Sequence, residues 1–192
     1  MSAPLLLASA SPRRREILRG LGIAFDVHPV DIDERALPSE GPRAYVARVA
    51  RDKRLAGRAA RPAGAVLAAD TTVTVDGEVL GKPASDAEAC AMLERLAGRA
   101  HEVLTAISIE FEERAHDEVV VTEVVFAPLD RSTIERYVAT GEGRDKAGSY
   151  AIQGIGGGFV SRIVGSYSNV VGLPAHETVR ALVHLGALAV WP

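Results

Sequence analysis

Residues 65–75, AVLAADTTVTV, form an apolar run of eleven residues broken by a single charge, Asp70. A run this apolar is a buried strand, and burial makes Asp70 the residue that needs explaining. A carboxylate inside such a strand is costly unless it is paired, hydrogen-bonded or bound to metal. The Asp-Gly pair at 76–77, directly after the run, is a hairpin signal.

The segments on either side set the fold class. PLLLAS (4–9) reads as a short buried strand. A helix follows it, with Ser11 as cap, Pro12 in its first turn and Ile17, Leu18 and Leu21 on one apolar face. Gly20 and Gly22 end that helix. Residues 23–30 read as a second strand, 31–41 (DIDERALPSEG) as a polar acidic loop, and 42–60 as an amphipathic helix with Tyr45, Val49 and Leu55 near one face. Residues 85–98 form a helix opened by a Ser85–Glu88 capping box. Two β-type runs, 101–112 and 118–129, flank a polar link and suggest a hairpin. A short helix with a second capping box spans 132–141, and a glycine-rich loop follows it. A strand at 159–164 and a helix at 174–186 close the chain. Strands alternating with helices, then a hairpin, predict an α/β protein: a mixed β-sheet flanked by helices. The 192 residues suit a single domain, 1–192, of two lobes.

Composition narrows the function classes. The single cysteine, Cys90, excludes an internal disulfide framework, suits a reducing compartment and sits in a helical apolar pattern that places it in the core. No stretch approaches the roughly 20 apolar residues of a membrane span. The N-terminal pattern is not that of a signal peptide, since arginines follow the apolar run instead of preceding it. A cytoplasmic location, with no membrane partner, is expected. Residues 1–62 carry 12 Lys and Arg against 7 Asp and Glu, whereas residues 63–192 carry 10 against 18. That asymmetry favours a small polyanion over a nucleic-acid duplex, and the basic half lacks interleaved aromatics.

Several motif-like stretches fail on inspection. GEVLGKP (77–83) is one residue short of a phosphate loop and has Pro83 where a metal-binding hydroxyl belongs. GIGGGF (154–159) has Phe159 at the last glycine position of a dinucleotide fingerprint. HETVRALVH (176–184) lacks metalloprotease spacing, and the five histidines are scattered.

What remains fits one nucleoside triphosphate. Arg13 and Arg14 lie on the first turn of a helix whose N-terminus favours anions, with Ser9 and Ser11 beside them. Asp70, with Glu34, offers carboxylates for Mg²⁺ or Mn²⁺ and for orienting a water. Lys53 and Lys82 supply positive charge for the phosphates.

LLLASASPRRREIL, AADTTV, LGKP, DKAGSYAIQG and VVGLP resemble, in order, the signature segments of the Maf family of nucleoside triphosphate pyrophosphatases, from residue 5 to about 185. The resemblance implies an elongated mixed sheet in two lobes with a central cleft, similar to inosine triphosphate pyrophosphatase. It also implies a homodimer and a divalent metal cofactor. The implied reaction is hydrolysis between the α and β phosphates to the monophosphate and pyrophosphate. Carried onto this chain, it makes Asp70 the base, a metal ligand, or both, with Glu34 joining it at the metal. It places Ser9, Arg13, Arg14, Lys53 and Lys82 on the phosphates.

ADTTV (69–73) and AIQG (151–154) look like the branch acting on dTTP and UTP, and tie Arg13, Thr71 and Gln153 to base choice. The Gln153 amide, both donor and acceptor, suits the O4/N3–H edge of uracil or thymine. The alternatives are a branch acting on 7-methyl-GTP or ITP, and a nucleotide-binding regulator of septum formation.

Overall fold

The computed structural model describes residues 4–192. Seven strands form one mixed sheet in the order β2-β1-β3-β5-β6-β7, with β4 paired to β3. They are β1 (Leu5–Leu7), β2 (Phe25–Val27), β3 (Val66–Val75), β4 (Glu78–Leu80), β5 (Ala100–Phe111), β6 (Arg114–Phe126) and β7 (Val160–Val164). The helices are α1 (Pro12–Gly20), α2 (Pro42–Ala60), α3 (Asp86–Leu96), α4 (Arg131–Ala139), α5 (Tyr167–Val171) and α6 (Ala175–Leu185). β1 pairs in parallel with β2 and β3, while β4 and β7 run antiparallel to their partners. This is the α/β mixed sheet expected from the sequence.

The chain divides into two compact units. The first comprises the segment ending at Asp70, Thr105–Val120 and Gly172–Pro192; the second comprises Thr71–Leu104 and Val121–Val171. In the first unit both faces of the parallel strands are covered. Leu5, Leu7, Leu67 and Ala69 join Leu18 of α1 and Val179, Leu182 and Leu185 of α6 in one cluster. Leu6, Ala8, Val66 and Ala68 form another. The two-residue period of a strand explains the split, and burial on both faces explains the near-continuous apolar sequence. Gly57 of α2 packs on the second face: a Cβ there would stand 2.7 Å from Ala8 Cβ and 3.1 Å from Val66 Cγ1.

In the second unit Val73 and Val75 join Met92, Leu93 and Leu96 of α3, Ile134 and Tyr137 of α4, and Phe126, Tyr150 and Phe159. Phe126 meets His101, Tyr150 and Phe159 edge to face, with centroids 4.9, 4.8 and 5.9 Å apart. Cys90 packs against this cluster, half-buried. Phe159, at the failed position of the glycine fingerprint, is a core residue.

Four local expectations change. The β5–β6 link is only the pair Glu112–Glu113, both at positive φ, and residues 114–117 (RAHD) already belong to β6. Neither turn residue is Gly or Asn, so no turn signal marked the place. The α4 cap is Asp130, whose Oδ1 accepts from Thr133 N at 2.7 Å; Ser132 lies inside the helix. Leu55 is 50% exposed, because the buried face of α2 is Val46, Val49, Ala50, Lys53, Arg54 and Gly57. The glycine-rich stretch after α4 is pinned through Ser149, Tyr150 and Phe159, all buried, and short α5 follows β7. By contrast the Asp76–Gly77 turn is present, both residues at positive φ, and Ser85 Oγ accepts from Glu88 N at 3.2 Å.

Candidate active site

Strand parity puts Asp70 on the face of Val66 and Ala68, the face on which α2 packs. There it meets Lys53, one helical turn before Gly57. Lys53 Nζ lies 2.7 Å from Asp70 Oδ1 and 2.8 Å from Glu34 Oε1. Lys53 and Asp70 are both buried, while the Glu34 side chain is 47% exposed. The costly carboxylate of the central strand is therefore an ion-paired one.

Ser9 and α1 lie just beyond the carboxyl end of β1, and Glu34 lies on the irregular segment after the carboxyl end of β2. Loops at the carboxyl ends of parallel strands are where open α/β sheets bind ligands. Ser9 and Arg14 are buried. The Ser9 hydroxyl accepts from Arg14 Nη1 at 3.0 Å and from Ser11 N at 3.2 Å. Ser11 stands at the N-cap of α1, but its side chain makes no cap hydrogen bond; the hydroxyl that serves this turn is that of Ser9. Arg14 Nε donates to Gly172 O at 2.9 Å, and Gly172 has φ 126°, a conformation that favours glycine. Burial pulls the Arg14 guanidinium below its ordinary pKa. Asp70 opposes that, Arg13 adds to it and Glu34 again opposes it, so these charges share one local field. Arg13 is half-buried.

Sequence reading missed two parts of this assembly. Tyr45, one turn before Val49 on α2, has its phenol pushed up to about 12 by burial, then by the charges of Asp70 and Glu34. Arg48 fastens the acidic loop: Nε and Nη2 reach the two Glu40 oxygens at 2.7 and 2.8 Å, and Nη2 reaches Arg35 O at 3.0 Å. Arg35 follows Glu34 directly. The i, i+4 stripe Tyr45–Val49–Lys53–Gly57 was the available signal for Tyr45; nothing in the sequence singled out Arg48.

Three predicted residues belong to the second unit. Thr71 follows Asp70 in β3 and shares the face of Val73 and Val75. Lys82 and Gln153 are exposed. Their segments are tied together there: Gly148 N donates to Gly81 O at 3.1 Å, and a Cβ on Gly148 (φ 68°) would press on Val73 at 3.0–3.1 Å. The TTV of AADTTV, the neighbouring LGKP and the distant DKAGSYAIQG thus meet within this unit.

A mixed sheet flanked by helices, with Ser9 and Arg14 buried beyond the carboxyl end of β1 and Lys53 of α2 paired with Asp70 inside β3, defines a protein of the α/β class. The sequence model of the Maf-like protein family matches residues 4–185, and the chain belongs to that family. It is 53% identical over 195 residues to a dTTP/UTP pyrophosphatase of Anaeromyxobacter dehalogenans (strain 2CP-C), covering 100% of this chain and 98% of that protein. It is 51% identical over 184 residues to a dTTP/UTP pyrophosphatase of Methylobacillus flagellatus, covering 95% and 92%. Among solved structures, the Staphylococcus aureus Ham1 protein matches with TM-score 0.46 and 18% identity, over 65% of this chain and 72% of its own.

Proposed function

We propose that this chain hydrolyses dTTP and UTP between the α and β phosphates, releasing the nucleoside monophosphate and pyrophosphate. The observation that carries the proposal is the Ser9–Arg14 and Lys53–Asp70 assembly, in a chain half-identical along its length to proteins named for that activity. The family match spans both units, which supports reading residues 1–192 as one Maf-like domain.

Asp70 is the base. Lys53 engages its Oδ1, and we assign proton uptake from the attacking water to Oδ2. The water oxygen forms a bond to one phosphorus of the α–β linkage and the bridging P–O bond to that atom breaks: attack at the α phosphorus expels pyrophosphate, attack at the β phosphorus expels the nucleoside monophosphate, and either gives the same two products. Arg13, Arg14, Lys53 and Lys82 hold the phosphates and balance the charge that grows on them. The Ser9 hydroxyl already accepts two hydrogen bonds, so its own hydrogen is the one it donates to a phosphate oxygen. Thr71 and Gln153 contact the base.

The residues present fit a divalent cation. Asp70 Oδ1 and Glu34 Oε1 converge on one cationic atom, Lys53 Nζ. Among the described residues no group of three or more His, Cys, Asp or Glu gathers to hold an ion. Two carboxylates completed by phosphate oxygens and water is how Mg²⁺ is commonly bound beside nucleotides. Asp70 and Glu34 would hold Mg²⁺ or Mn²⁺, which supplies Lewis-acid polarisation of the phosphate oxygens when bound.

The test is pyrophosphate release from dTTP, UTP, CTP, 7-methyl-GTP and ITP with Mg²⁺ or Mn²⁺, for the wild type and Asp70→Asn. The wild type should prefer dTTP and UTP, and Asp70→Asn, still folded, should lose at least about a hundredfold in turnover. Near-normal turnover in Asp70→Asn would overturn the assignment of the base. Preference for 7-methyl-GTP or ITP would overturn the substrate reading.

A further inference from the structure

The turn that carries Gln153 lies between short 3₁₀ helices at Ala147–Ser149 and Ile155–Phe159, and two side chains close it. Glu142 Oε1 accepts from Ile155 N at 2.8 Å, and Oε2 accepts from Gly156 N at 2.9 Å. Oε2 also accepts from the Tyr137 hydroxyl at 2.8 Å, and that hydroxyl in turn accepts from Ala151 N at 3.1 Å. One carboxylate and one phenol thus grip the backbone on both sides of Gln153. Tyr137 is buried in α4 and Phe159 packs on it with ring centroids 4.9 Å apart, so the grip is rooted in the core.

The glycines of the segment follow from this grip. A Cβ on Gly154 would collide with Glu142 Oε1, and one on Gly156 would stand 2.8 Å from the Tyr137 hydroxyl and 2.9 Å from Ala151 O. The backbone needs glycine there because the carboxylate and the phenol come so close. Burial raises the Glu142 carboxyl's pKa, but the bonds from Gly156, Ile155 and Tyr137 and the charge of Lys146 outweigh it, leaving Glu142 below its ordinary value and ionised.

We propose that Glu142 and Tyr137 are positioning residues that fix the turn bearing Gln153, and through it set the enzyme's discrimination between pyrimidine bases. The inference rests on the reading of Gln153 as a base contact. The grip fixes the backbone from which the Gln153 side chain reaches, and so limits the positions from which its amide can meet the O4/N3–H edge of uracil or thymine, whereas cytosine presents the reversed donor–acceptor pair. A free turn would let Gln153 follow either base.

The experiment measures kcat and KM for dTTP, UTP and CTP in Glu142→Ala, Tyr137→Phe, Gln153→Ala and the double variant Glu142→Ala/Gln153→Ala. Glu142→Ala should raise KM for dTTP about tenfold, leave kcat within about twofold, and erode the dTTP-over-CTP preference by a similar factor. Tyr137→Phe, which removes a single hydroxyl, should act in the same direction and less strongly. It carries the test if Glu142→Ala does not fold. In the Gln153→Ala background, removing Glu142 should change the preference no further. Additive effects on preference, or a fall in kcat with preference intact, would overturn the positioning role while leaving Gln153 as a base contact. A Gln153→Ala enzyme with unchanged preference would overturn the base contact itself, and this inference with it.

Discussion

His101 offers a direct measure of how tightly the second unit is packed. Its ring is 3% exposed, edge to face with Phe126 and Tyr150, and Nε2 lies 2.9 Å from the Tyr150 hydroxyl. Nδ1 is buried with no hydrogen-bond partner among the described residues. An imidazolium would place a second N–H there with no acceptor, and burial alone holds the pKa at about 4, against an ordinary 6.5. Between these values the unfolded chain binds a proton that the folded chain refuses. The associated stability is complete above pH 6.5 and is lost as pH falls through 4. For those two pKa values, acidification from pH 7.5 to pH 5.0 removes about 2 kcal/mol through this one residue. Urea unfolding followed by circular dichroism at both pH values should show the wild type losing about 2 kcal/mol more than His101→Phe. The variant starts less stable at pH 7.5, because the Tyr150 hydroxyl loses its partner, so the informative quantity is the difference between the two pH responses. Parallel responses would refute the account, since the imidazole would then be titrating normally inside the fold.

Gly57→Ala gains helix propensity worth about 1 kcal/mol but forces a Cβ toward Ala8, an overpacking cost of roughly 1–3 kcal/mol. A melting temperature a few degrees lower is expected, and a rise would refute the close approach of α2 to β1. Arg48→Ala should leave the melting temperature nearly unchanged but speed cleavage after Glu34 or Glu40 by a Glu-specific protease, since Arg48 holds both Glu40 and Arg35 O. Unchanged cleavage would mean that the acidic loop is held by other contacts.

Much of the fold was legible because local signals agreed with one another. The apolar run at 65–75, the Asp76–Gly77 turn and the Ser85 cap all appear where the sequence puts them. The β5–β6 turn was illegible for the opposite reason. Glu112 and Glu113 take positive φ without the residues that usually mark it, and the charged residues after them sit in a strand. Asp117 among them accepts from Ser108 Oγ at 2.6 Å across the hairpin and from Arg51 Nε, distant in sequence, at 2.9 Å. Leu55 failed as a core residue because the buried stripe of α2 includes Lys53 and Arg54, which a hydrophobicity pattern assigns to solvent.

That last failure holds the logic of the site. The residues that disturb the apolar patterns of α2, β3 and β5 are those that meet: Lys53 with Asp70, and Arg54 with Ser108 at 2.8 Å. Parity alone could have joined the first pair. Asp70 lies an even number of residues from Val66 and Ala68, and Lys53 lies one turn from the glycine that lets α2 approach that same face. Removing one partner of a buried ion pair leaves a charge stranded, whereas well-packed apolar replacements of both are often neutral or stabilising. Stability therefore gives little reason to bury Lys53 and Asp70 together. A carboxylate held in one place by an ammonium, with the arginine of a helix N-terminus in the same field, is an arrangement that the proposed hydrolysis of a polyanion would use.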